Sequence, residues 1–273
     1  MIRKNKHSFR RKVIFCLTMF LIGIIISFKV LENKHKDINN KYNDLLLEMA
    51  YKSISNKTYL DMIKKEDKEV EVYNNPLIYI YNTHDREEYA STLGITPTVK
   101  VVNNVLKDKF NTNNINVIIE DRSIRDILNL NNWNYAYSYK ASRLYIDEVR
   151  VNYPSIKYFI DVHRDSLEKN RTTITINDKT YASLLFIVGL DNPTYQSNLT
   201  FTERINNKIN EKYPNLSKGI LKKSGPGVNG IYNQDVSEYT ILIEVGGYQN
   251  NIYEVLNSTL AFYECFMEVI NEN

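Results

Sequence analysis

The chain is 273 residues long, 43% hydrophobic and 25% charged, a globular composition that excludes a largely disordered protein. Its net charge of +3 is local, because residues 1–31 hold seven Lys/Arg and no acid, leaving 28 basic against 32 acidic residues beyond them, a net of −4. A slightly acidic body has no general electrostatic footprint for phosphate backbones, so nucleic acid is not an expected partner.

Arg3, Lys4, Lys6, Arg10, Arg11 and Lys12 precede the uncharged run VIFCLTMFLIGIIISF, Val13 to Phe28, and Lys29 is followed by Val30 and Leu31. This run is short for a span of about 20 residues, but Lys29 can snorkel and Leu31 lengthens it. No small-x-small cleavage site follows. The expectation is an uncleaved transmembrane signal anchor over 13–31, a cytoplasmic tail over 1–12, and everything after Leu31 outside the cell membrane. Cys16 lies in the span and Cys265 is the only cysteine beyond it, so the exterior part has no internal disulfide. Residues 32–75 are polar, with one amphipathic stretch around Ile38, Tyr42, Leu45, Leu46 and Met49, and read as a membrane-proximal stalk ahead of a catalytic domain over 76–273.

From residue 76 the text changes to β-branched and aromatic runs: 77–82, 116–120, 157–162, 172–177, 181–190 and 239–246. Helical spacing lies between them, over 97–110, 133–153, 199–213 and 252–270. Continuous apolar strands alternating with helices predict an α/β fold with a mostly parallel sheet buried on both faces. Residues 177–180 read as a hairpin connection, which would make the sheet mixed at that edge.

In such sheets the site lies beyond the carboxyl ends of the strands. LIYIYN runs into Thr83-His84-Asp85-Arg86-Glu87-Glu88, KYFIDV into His163-Arg164-Asp165-Ser166, and YTILI into Glu244-Val245-Gly246-Gly247. His84 and His163 are the only histidines of the presumed domain, both at strand ends. Two imidazoles and one carboxylate make a three-ligand zinc set with an open position, as a hydrolytic site needs. Glu87 is the favoured carboxylate, although spacing alone does not separate it from Glu88. Glu244, following an apolar run, is costly to bury unpaired and is a candidate general base or acid.

These residues resemble the stage II sporulation protein P family of membrane-anchored cell-wall hydrolases. The likeness runs from about Leu77 to Ser258 and rests on THDREEY (83–89), YPSIKYFIDVHRDS (153–166), FIVGLDNP (186–193), YPNLSKGI (213–220), YNQD (232–235) and LIEVGGYQNN (242–251). It implies a zinc-amidase-like fold and an N-acetylmuramoyl-L-alanine amidase that also acts on peptide cross-links. Peptidoglycan would be the substrate during sporulation engulfment, beside the lytic transglycosylase stage II sporulation protein D and other engulfment proteins. His84 and His163 match the family's histidines, Glu87 its THxxE acid and Glu244 its late glutamate. Arg164, Asp165, Asn233, Gln234 and Asp235 match motif positions without assigned roles. Two features depart from the family pattern: Asp85-Arg86 replaces small hydroxyl residues in the first motif, and the stalk is short.

Two other classes fit parts of the pattern. One is a metal-independent glycan-strand hydrolase using Glu244 and Asp235 as paired carboxylates. The other is a non-catalytic peptidoglycan-binding scaffold with structural histidines.

Overall fold

Runs of buried Ile, Val, Tyr and Phe from six separated stretches assemble one sheet in the computed structural model, which describes residues 75–92 and 96–272 together with Lys29. In chain order the elements are β1 (Ile78–Tyr81), α1 (Lys100–Thr112), β2 (Val117–Ile119), α2 (Ile124–Leu130), α3 (Ser138–Asn152) and β3 (Tyr158–Asp165). They continue with α4 (Lys169–Thr172), β4 (Thr173–Ile176), β5 (Lys179–Ala182), β6 (Leu184–Gly189), α5 (Tyr195–Lys212), β7 (Ser217–Lys223), β8 (Tyr239–Gly247) and α6 (Ile252–Asn271). The described fold belongs to the unit Leu47–Asn273. The expected cytoplasmic tail, membrane span and stalk lie outside the described residues except for Lys29 and Asn75. Among the described residues no helix is long and apolar enough to cross a membrane.

The main sheet has the order β2-β1-β3-β8-β6-β7. The first four strands run parallel, β6 pairs antiparallel with β8, and β7 runs parallel to β6. Alternate side chains go to opposite faces. Tyr79, Tyr81 and Phe159 pack with Ile146 and Val149 of α3 on one face, whereas Tyr158 meets Phe201 of α5 and Phe266 of α6 on the other. Each large side chain buried in this way contributes about 1.5–3 kcal/mol.

The α/β class with a mostly parallel sheet holds, and four differences from the sequence expectation have physical causes. The hairpin forms, with Asn177 and Asp178 both at positive φ in a two-residue turn, but β4 and β5 make a sheet of their own. The antiparallel β6–β8 join mixes the main sheet instead. The apolar run 181–190 is divided at Ser183, whose N–H donates to Thr172 O and whose carbonyl accepts from Gly246 N, so its two halves join different sheets. Strands β3 and β8 run past their apolar stretches, which places His163 and Glu244 inside strands rather than beyond them. Finally, α2 and β7 escape periodicity because one is seven residues long and the other carries Lys218, Lys222 and Lys223.

Candidate metal centre

The end of β1 is tied to β3 by side chains. The Asn82 amide donates to Val162 O at 2.6 Å, and Thr83 gives its N–H (2.9 Å) and hydroxyl (2.7 Å) to the fully buried Asp161 carboxylate. The chain leaves β1 held against β3, and the following turn carries His84 and Glu87 over the end of β3. Glu87 N–H donates to His84 O at 3.2 Å, so the two side chains issue from one turn.

His84, Glu87 and His163 each offer one ligand atom, and these atoms lie within 4.8 Å of one another. Glu87 Oε1 is 3.3 Å from His84 Nδ1, and Oε2 is 3.6 Å from His163 Nδ1 while accepting the Arg164 N–H at 2.9 Å. Glu88 is exposed and stands outside the cluster; its backbone bridges Thr98 and its carbonyl accepts from Arg164 Nε at 2.9 Å. The other ring nitrogen of His163, Nε2, lies 3.0 Å from Asp161 Oδ1, within ion-pair range but out of line for a hydrogen bond. An imidazole facing a carboxylate on one side and a cluster of donors on the other is the arrangement that orients a ligating histidine.

Electrostatics follow from this packing. Burial works against the Glu87 carboxylate, but His163, His84 and the Arg164 N–H overcome it and hold the group at about 2. Burial also opposes charge on His163, and Asp161 and Glu87 override it, raising the imidazole well above its ordinary value. A metal bound through that ring competes with a proton for its nitrogen. Glu244 faces His163 across the β3–β8 ladder in direct register. Burial raises its carboxyl to about 7, partly offset by His163 and Lys223. A carboxyl at that value next to a polar cluster can accept and return a proton near neutrality.

Aromatic rings wall the cluster. The exposed Tyr135 stacks on His84 with centroids 4.9 Å apart, and Tyr139 meets His84 edge-on at 5.7 Å and stacks on His163 at 6.4 Å.

The remaining motif residues serve the scaffold. The Asn233 amide donates to Tyr139 O and Ser142 Oγ, both at 3.0 Å, and Gln234 bonds Ile187 O (2.7 Å) and Gly189 N (2.9 Å) in the manner of an extra strand. Asp235 takes a bidentate ion pair from Arg143, with both contacts at 2.9 Å. Asp165 accepts from Leu167 N, and Arg164 reaches the carbonyls of Glu88 and Asp165. Sequence reasoning missed Asp161, Tyr135 and Tyr139. An acid inside the apolar run KYFIDV is the one signal that could have pointed to Asp161; the tyrosines carry none in so Tyr-rich a chain.

Two imidazoles and a carboxylate suit zinc in both softness and number, with the Asp161 support expected around such a ligand.

The family profile described as Stage II sporulation protein P matches residues 26–267. Stage II sporulation protein P of Bacillus subtilis (strain 168) is 31% identical over 222 residues, covering 78% of this chain and 55% of its own length. The chain thus spans about half the length of that curated relative. Among solved structures the chain is similar to the CwlD amidase from Clostridioides difficile in complex with the GerS lipoprotein, with a TM-score of 0.49 and 13% identity over 72% of this chain and all of that one. It is also similar to Cwp6 from Clostridium difficile, with a TM-score of 0.43 and 12% identity over 71% of this chain and 29% of that one.

Proposed function

The chain belongs to the stage II sporulation protein P family, and from that premise we propose that it is a zinc-dependent peptidoglycan hydrolase of sporulation. In this reading it cleaves the amide between N-acetylmuramic acid and L-alanine and, secondarily, peptide cross-links. The observation that carries the reading is the convergence of His84, Glu87 and His163 within 4.8 Å, with Glu244 in register beside them.

An unactivated amide resists hydrolysis because water is a weak nucleophile and the tetrahedral oxyanion is costly. His84, Glu87 and His163 would hold the zinc, which when bound would supply Lewis acidity toward the carbonyl and lower the pKa of water to about 7. Glu244 takes the proton of the attacking water on its carboxylate and hands it to the leaving amine of L-alanine. Asp161 orients the His163 ring, and Thr83, bonded to Asp161, fixes the turn that presents His84 and Glu87. Tyr135 and Tyr139 limit water access from the aromatic side.

The localisation follows the sequence: an anchor over 13–31 would hold the catalytic domain outside the cell membrane, within reach of the wall. A sporulation lytic transglycosylase, stage II sporulation protein D, and other engulfment proteins are the proposed protein partners. Such a division of labour suits a hydrolase that frees peptides while its partner cuts the glycan.

The test is mass spectrometry of purified muropeptides digested with and without chelator, with zinc content measured alongside. Chelator-sensitive release of stem peptides from intact glycan is expected, and His84→Ala and His163→Ala should each abolish release and lower bound zinc while keeping the fold. Glu87→Gln lowers zinc occupancy more than Glu88→Gln. New reducing ends that persist in chelator would instead select the glycan hydrolase.

A further inference from the structure

The face of the sheet that carries His163 and Glu244 does not stop at β8. Alternation and register put Leu185 and Ile187 of β6, and then Leu221 and Lys223 of β7, on that same side. The helices α5 and α6 pack on the opposite side, where Phe186 meets Phe262. Tyr232 covers Ile187 on the site side of β6, whereas Leu221 on β7 is 44% exposed. The strand is irregular where it passes Leu185, since the β6–β7 register shifts between Leu184 and Phe186, and Lys218 sits in that irregularity.

This end of the sheet carries cations that lack a close ion pair. Several lysines and arginines elsewhere are paired with acids, as with Arg122 and Glu120, Arg143 and Asp235, or Lys212 with Glu264 and Glu268. Among the described residues no acid forms an ion pair with Arg171, Lys218 or Lys223. Lys218 nevertheless stands within electrostatic reach of Asp165, Arg171 and Glu244, and Lys223 within reach of Glu244. Cations that stand beside half-buried carboxylates without a close ion pair can take an anion from outside the chain.

Spacing says which part of a substrate they would meet. Two strand separations of about 4.8 Å place β7 about 10 Å from β8. An extended peptide advances about 3.4 Å per residue. A carboxylate on the second or third residue after an amide held at Glu244 therefore falls on β7, with Leu185 and Leu221 beneath the intervening chain.

We propose that the site-side face of β7, reached across Leu185 of β6, is a peptide subsite in which Lys218 and Lys223, with Arg171 at its margin, bind the free carboxylates of an acidic stem peptide that leaves from Glu244. The inference rests on the peptidoglycan reading and adds to it the orientation of the substrate: peptide over β7, glycan toward Tyr135.

The experiment measures equilibrium binding, so that it does not depend on turnover. The full-length chain in detergent, carrying Glu244→Gln to prevent cleavage, is titrated with a soluble muropeptide whose stem peptide has free carboxylates, and with the same muropeptide converted to carboxamides. Amidation is expected to weaken Kd about tenfold, as the loss of one or two charge-assisted bonds would. Adding Lys218→Gln and Lys223→Gln should shrink that ratio to about twofold or less. Lys222→Gln, on the other side of β7, should leave the ratio unchanged. An undiminished ratio in the lysine variant, no ratio at the outset, or an equal loss in Lys222→Gln overturns the subsite. Failure of the hydrolase reading shows separately, as absence of chelator-sensitive release by the unmutated chain.

Discussion

Glu244 shows how one residue's surroundings decide its chemistry. A carboxylate after YTILI could be a ligand, a salt-bridge member or a base, and the ladder sets it against His163 while burial lifts it to about 7 from an ordinary 4.5. A carboxyl whose folded pKa exceeds its unfolded one binds its proton more tightly in the folded protein. Its contribution is therefore most favourable below the unfolded value, declines as pH rises between about 4.5 and 7, and stays diminished above. Glu244→Gln removes that decline. In chelator, urea unfolding should find the variant gaining on the parent by on the order of 2–3 kcal/mol between pH 4.5 and pH 8. Parallel stability curves for the two proteins would refute a buried, raised carboxyl.

Strand β8 adds a device at the scale of the element. Between His163↔Glu244 and Asp165↔Gly247 it spends three steps to β3's two, so it carries a bulge immediately after Glu244. Gly246 makes this possible with φ +65°, and a Cβ there would come within 2.7 Å of Ala182 Cβ and of Asn250 Oδ1. Bulges of this kind bend a strand and re-aim the side chains beside them. Gly246→Ala should cost about 2–4 kcal/mol, from the left-handed backbone and the crowding together. Chemical denaturation measures it, and a loss under about 0.5 kcal/mol would mean the bulge relaxes freely. The neighbouring helix start needs no such device: Asn251 and Glu254 form a capping box at α6 that is readable in the text QNNIYEV.

For the molecule as a whole, a doubly covered sheet brings residues 84, 163 and 244 to one place, and a membrane anchor would decide where that place works. The anchor is argued from residues 1–31 alone: a basic tail, an apolar run and no cleavage site. A reporter fused after Asn273 should be active only outside the cytoplasm, and the chain should fractionate with membranes at its full 32.0 kDa. Recovery of a shortened soluble form would replace the anchor with a cleaved signal peptide.

Much of this was legible in one dimension. Periodicity is local, so the strands over 78–81, 158–165 and 239–247 and the helix over 252–271 could be read within one to three residues at their ends, whereas the helices over 100–112 and 138–152 begin three and five residues later than their apolar patterns. The two histidines and Glu244 stood out because so few groups of their kind follow apolar runs. The tertiary structure alone decided three things. It separated Glu87 from Glu88, because adjacent side chains of a turn point apart and only one faces His163. It gave Asp161 and Tyr135 their places, since contacts across 78 or 51 residues leave no local pattern. It also turned β6 and β7 against the other strands, because strand direction depends on which edge a strand finds open, and composition carries no record of that.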